Sequence, residues 1–225
     1  MSNLILGNPM IHPPRLPKPM PTGDPEPLAD HTHIYQAMMN GLDYNDLNAG
    51  GLFLEQVKAR KVQLMRSRLP GLRIVDSFFE MCEFSGSQWE TGFFRRVVFK
   101  DCRLLGTQML EGIFEDVEFI NCQAESLAMV SAKFKNCLFH KCVLKKATFD
   151  GADASRVIFN ECDLISANFH LAKLKETDFR TSDIGGLQVG VTEMQGAIIA
   201  PHQTLQVVGL LGVTVKEIED SDQET

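Results

Sequence analysis

Cys142-Val143-Leu144-Lys145-Lys146, Ala147-Thr148-Phe149-Asp150-Gly151, Ala152-Asp153-Ala154-Ser155-Arg156, Val157-Ile158-Phe159-Asn160-Glu161, Cys162-Asp163-Leu164-Ile165-Ser166, Ala167-Asn168-Phe169-His170-Leu171: cut into fives, residues 142–171 open every unit with a small or slender residue and put an apolar one third. The rule extends far beyond this stretch. Every fifth residue from Leu64 to Ile199 gives 28 positions, all apolar, with twelve Phe and Trp89 among them. The 28 positions two residues earlier, Val62 to Ala197, are mostly Ala, Cys, Ser, Gly, Thr or Val, and none is charged. A coarser period of twenty lies on top. Phe79, Phe99, Phe119, Phe139, Phe159 and Phe179 form one series, and Cys82, Cys102, Cys122, Cys142 and Cys162 a second.

Five matches neither the period of two of a strand nor the 3.6 of a helix. A sustained fixed repeat marks a stacked architecture, in which each unit buries its face only against its neighbours. Four fives make one turn of roughly square section. Residues twenty apart then stack about 4.8 Å apart, as in any parallel β pairing. The large position fills the tube, the small one lets coils approach, and the other three residues of each five face outward. The fold class is therefore an all-β parallel solenoid.

These residues resemble the pentapeptide-repeat family, whose unit is roughly Ala-(Asp/Asn)-Leu-X-X with Phe common in place of Leu. Ala147-Thr148-Phe149-Asp150-Gly151, Ala167-Asn168-Phe169-His170-Leu171 and Cys162-Asp163-Leu164-Ile165-Ser166 fit that unit. The resemblance covers residues 62 to 200 and implies a right-handed quadrilateral β-helix. It also implies two functional expectations. Some members act as DNA mimics that bind a type II topoisomerase, DNA gyrase, and protect it from inhibitors. A C-terminal element in such proteins often forms a dimer.

The chain divides into four parts. Residues 1–36 hold eight of the ten prolines, all of them between Pro9 and Pro27. Such a segment builds neither ladder nor helix and is read as an extended arm. It is either a solvated tail or, because it carries Leu4, Ile5, Leu6, Met10, Ile11 and Leu16, an arm that docks. Residues 37–200 are the β-helix, degenerate before about 62, with imperfect coils from about Leu42 or a short amphipathic helix near Ile34 to Met39. Residues 201–212 follow as a capping helix. Pro201 suits a helix start, Leu205, Val208 and Leu211 share one face as candidate cap or dimer residues, and Gly212 ends it. Residues 213–225 are an acidic tail.

The net charge of −7 disfavours direct binding to nucleic acid or to an anionic membrane. Residues 62–200 contain 18 acids and 16 bases, a net of only −2, which is thin for a duplex mimic. No apolar run approaches the length of a membrane span, and Met1 to Gly7 lacks the basic start of a signal peptide. All six cysteines, Cys137 included, fall at inward positions. The reading is buried thiols chosen for size, against a metal or disulfide ladder, and with the other features it places the protein in the cytoplasm. No cofactor or metal is expected. His31-Thr32-His33 is too short a signal for a metal site, and His12, His140, His170 and His202 are scattered. No phosphate loop or nucleophile elbow is present, so an enzyme is disfavoured.

Function on such a rod belongs to its outer faces. The outward residue before each ladder Phe reads Phe78, Val98, Glu118, Leu138, Ile158, Asp178, with Phe93 and Ile113 on the neighbouring face. An apolar stripe of this kind points to a protein partner, the arm or a second copy. Lys133, Lys135, Arg156, Lys173 and Lys175 gather on the neighbouring face, with Asp153 and Glu176 among them as for an ordinary solvated surface.

Overall fold

The computed structural model describes residues 11–21, 27–211 and 213–214. Its nine described strands form one parallel sheet wound into a tube. They are β1 (His33–Tyr35), β2 (Met38–Asn40), β3 (Phe53–Glu55), β4 (Lys58–Arg60), β5 (Arg73–Glu80), β6 (Phe93–Lys100), β7 (Ile113–Ile120), β8 (Lys133–His140) and β9 (Ile158–Asn160). The main path runs β1-β3-β5-β6-β7-β8-β9, and β2 pairs β4, which pairs β5. Every pairing is offset by twenty residues: Phe79 pairs Phe99, Phe99 pairs Phe119, and Phe119 pairs Phe139. β5 to β8 each turn a corner, so their first halves line a first face and their second halves a second. The third and fourth faces are held by isolated bridges such as Glu83 to Arg103 and Gln88 to Gln108.

The core is the pair of inward ladders. Rings of Phe79, Phe99, Phe119, Phe139, Phe159 and Phe179 stack with centroids 4.7–5.3 Å apart. The small inward position has a polar duty as well. The Cys122 and Cys142 thiols donate to the carbonyls of Phe99 and Phe119 at 3.3 Å. Thr107 and Ser182 hydroxyls do the same to Phe84 and Phe159 at 2.9 and 2.8 Å. Cys, Ser and Thr are thus interchangeable there because each is slender and carries one donor. Where glycine holds the position, the next Phe ring leans into the space: a Cβ on Gly112 would lie 2.7 Å from the Phe114 ring.

The corners explain how five residues close one side of the square. From His31 to Glu176 every fifth residue has φ between 50° and 70°, and 24 of these 30 are not glycine. A non-glycine residue in that region costs about 1–2 kcal/mol. The turn offsets this by aiming the corner N–H at the next coil, as Arg66 does to Ser85 at 3.0 Å and Asn121 to His140 at 2.8 Å.

Two expectations about the ends are corrected. The ladder starts before residue 37: β1 pairs β3 from His33 to Tyr35, and the left-handed corners already include His31 and Gln36. No helix forms near Ile34 to Met39, because Ile34 and Met39 already fall in the inward frame and are buried. At the other end, the expected continuous helix is broken into a 3-10 turn Pro201–Gln203, α1 (Thr204–Val208) and a 3-10 turn Gly209–Leu211. Val207 and Val208 are weak helix formers and Gly209 follows them, so the segment does not propagate. The acidic tail beyond residue 214 lies outside the described residues, as do Met1 to Met10 of the arm.

Candidate functional site

The outward stripe of the second face is assembled by pairing in register, Phe78 to Val98, Val98 to Glu118, Glu118 to Leu138 and Leu138 to Ile158. Its exposure differs from the expectation. Phe78 and Leu138 are half-buried, while Val98 and Ile158 are only 7% and 6% exposed. Side chains stacked at strand spacing wall one another in, so a row of four presents less surface than four isolated residues. Phe93 and Ile113 of the first face stay accessible in part. Phe93 is held between two guanidinium groups, Arg73 at 5.5 Å and Arg95 at 5.8 Å.

Glu118 is the odd member of the stripe. It is half-buried between Val98 and Leu138 and has no ion pair or hydrogen bond among the described residues. Burial alone pushes its carboxyl above the ordinary glutamate value of 4.5.

A second feature lies along the corner between the first and second faces. Gln56, Asp76, Arg96, Asp116 and Asn136 stand there twenty residues apart, each with positive φ. The arm crosses them. Arg15 N–H donates to Asp76 Oδ1 at 2.9 Å, and Gln56 Nε2 donates to the Arg15 carbonyl at 2.9 Å. His12 approaches Asp116 through its N–H at 3.4 Å and its Nδ1 at 3.2 Å. Beneath the arm, Arg96 grips Asp76 with two bonds of 2.6 and 2.5 Å. Burial resists ionisation of Asp76, but Arg96 and the Arg15 N–H outweigh it and hold the carboxyl below its ordinary value. The same corner carries an equivalent pair beyond the described part of the arm, Arg156 with Glu176. Those side chains are 73% and 48% exposed, against 14% and 8% for Arg96 and Asp76. The arm therefore docks on the polar corner.

Other expected residues separate into distinct places. Lys173 pairs Asp153 at 3.2 Å and Arg156 pairs Glu176 at 2.8 Å, so part of the basic cluster is internally neutralised. All six cysteines are buried and free, and burial pushes the Cys137 thiol up to about 12. Among the described residues no group of three or more His, Cys, Asp or Glu could hold a metal ion. Among the same residues no helix is long and apolar enough to cross a membrane.

The C-terminal cap works differently from the expected apolar face. Leu205 is 66% exposed and Val208 half-buried, while Val207 packs against the core. Only the backbone of Leu211 is described. The closing contact is polar: Gln203, nearly fully buried, donates from Nε2 to the Phe179 and Ser182 carbonyls at 2.9 and 2.7 Å. Its Oε1 accepts the Ala200 N–H at 2.7 Å. Beside it, Val191, Met194, Ile199, Val207, Val208 and Leu210 border a shallow concavity of about 100 Å³. Sequence reasoning missed Gln203 and the corner residues Gln56, Asp76 and Asp116. The available signal was the arm's own spacing, His12-Pro13-Pro14-Arg15, with donors three residues apart.

Two repeat models match the chain, a pentapeptide repeat region at residues 72–149 and pentapeptide repeats in eight copies at residues 142–180. No curated protein matches the chain in sequence. Among solved structures, a trypsin-treated variant of QnrB1, a plasmid-mediated fluoroquinolone resistance protein, is 16% identical with a TM-score of 0.45, covering 82% of this chain and 99% of its own. HetL, a pentapeptide repeat protein involved in heterocyst differentiation regulation from the cyanobacterium Nostoc sp. strain PCC 7120, is 13% identical with a TM-score of 0.48, covering 76% of this chain and 87% of its own. With its coils of four fives, its stacked inward ladders and these repeat matches, the chain belongs to the pentapeptide-repeat family.

Proposed function

We propose that the protein is a non-catalytic interaction module, a rigid rod that binds another protein along the second face. Glu118 carries this reading. An ionisable group half-buried in an apolar row, with no side-chain partner among the described residues, lowers stability unless something else pairs with it. A partner surface with apolar side chains over Phe78 and Leu138 and a base opposite Glu118 would satisfy both demands. Phe93 and Ile113 extend the same surface around the corner. The test is a photo-crosslinking residue placed at Leu138, with a second at Gln108 on the fourth face as control. Cross-linking to a protein at Leu138 alone is expected and Glu118→Lys abolishes it; without the cross-linker, Leu138→Asp with Ile158→Asp abolishes co-purification of the same protein. Equal labelling at both positions, or none at Leu138, overturns the reading. A topoisomerase-binding DNA mimic fits less well. Acids here alternate with bases one coil away, as in Asp46–Arg66, Glu83–Arg103 and Asp153–Lys173. Gyrase supercoiling is therefore expected to be indifferent to the protein.

A second reading has its own observation. The C-terminal end leaves Val191, Ile198, Leu205 and Val213 exposed, and Val191 borders the apolar concavity. Two copies meeting there would bury it. On this reading Leu205→Asp halves the mass in solution, whereas the Leu138 and Ile158 substitutions leave it unchanged.

A further inference from the structure

The arm meets the solenoid through its main chain, and that contact has a period. The two donors that reach the corner carboxylates are the amides of His12 and Arg15, three residues apart. The carboxylates that receive them, Asp116 and Asp76, are two coils apart. One turn of a polyproline II helix takes three residues and rises about 9.3 Å. Two coils of a parallel solenoid rise about 9.6 Å. The two repeats are therefore commensurate, and one turn of polyproline II would span two coils of the rod. The residues between the donors are Pro13 and Pro14, which have no N–H to leave unpaired. Gln56, one coil below Asp76, closes the contact on the Arg15 carbonyl.

None of these three solenoid residues reads an arm side chain except Asp116, which also meets the His12 ring. The corner residues are also held by their neighbours one coil away. Asp76 is clamped by Arg96, Asp116 accepts from Asn136 at 3.0 Å, and Gln56 accepts from Gln36 at 2.8 Å. Such a row is a preorganised acceptor for extended chain in general.

We propose that the corner row Gln56, Asp76 and Asp116 is a binding site for extended proline-rich peptides in which two non-proline residues flank a pair of prolines. Residues 12–15 are its tethered occupant, and a peptide of the same kind supplied by another chain competes for it. The inference does not depend on the stripe of the second face.

The full-length chain provides the test. His12→Pro with Arg15→Pro removes both donors and leaves every solenoid residue in place. A fluorescent peptide of residues 11–21 is then titrated and its anisotropy followed. The double variant should bind the peptide, and the unaltered chain should bind it at least roughly tenfold more weakly because the tethered arm competes. Adding Gln56→Ala or Asp116→Ala to the double variant should weaken binding by a similar factor with the circular dichroism spectrum unchanged. Asp76 is left in place, since its removal would strand Arg96. A peptide with proline at both donor positions should not bind. Failure of the double variant to bind, equal binding by the unaltered chain, or binding indifferent to Gln56 and Asp116 would overturn the proposal.

Discussion

Glu118 gives the simplest test at the level of a single residue. Its folded-state pKa is raised by burial, so folding favours the protonated form. Stability associated with this group is complete below the ordinary glutamate value of 4.5 and is lost as pH rises through the folded value. Glu118→Gln is therefore expected to raise the melting temperature at pH 7, with a gain that vanishes as the pH falls below about 4. Calorimetry at both pH values checks it. Phe119 tests the core. Its ring lies 5.0 Å from Phe99 and 4.7 Å from Phe139, so Phe119→Ala opens a hole with stacked rings on both sides. The expected cost is about 3–5 kcal/mol by denaturant titration. The cysteines should be chemically silent. With all six buried, a thiol reagent at pH 8 should label none in the native protein and all six after unfolding. Inward residues such as Phe119 and Cys137 were legible in the sequence because the fifth-residue frame alone decides which way they point. The shielding of Val98 and Ile158 was not, because it depends on what stands one coil above and below.

Among the elements, the C-terminal cap shows where pattern reading stops. Pro201 and the apolar residues after it do mark a cap, but apolar periodicity says nothing about the open carbonyls of the last coil. Gln203 answers that need with three hydrogen bonds to main-chain groups. Gln203→Leu keeps the bulk and removes the bonds. Each orphaned group costs about 1–3 kcal/mol when dry, and less where water can enter the end of the tube. The expected result is a loss confined to the last coils, read as faster amide exchange at Phe179 and Ala200 with the middle strands β6 to β8 unchanged. The early start of the ladder has a similar cause. Ile34 and Met39 are in frame, but His33, Tyr35 and Gln36 around them look like any polar linker until pairing with β3 and β4 shows them to be outward and corner residues.

At the scale of the whole molecule, the arm ties coils that are far apart in sequence. Its hold on Asp76 is acid-sensitive in a defined direction. The folded pKa of Asp76 is depressed, so its contribution is present above the ordinary value of 3.8 and is lost as pH falls through the lower folded value. The Arg15 amide should lose its downfield shift below that point while the strand amides of β6 keep theirs, as a pH series of NMR spectra would report. The left-handed corners carry a consequence of another kind. Each corner amide is committed to the coil that follows, and each face to the coil on either side. One inserted residue would turn every later corner off its diagonal and send ladder Phe side chains out to water. No local loop can absorb the error within the coils. Tolerated changes in length should then arrive as whole coils, gained or lost together, so that such a rod grows over generations by duplication of complete turns while substitutions alone remodel its faces.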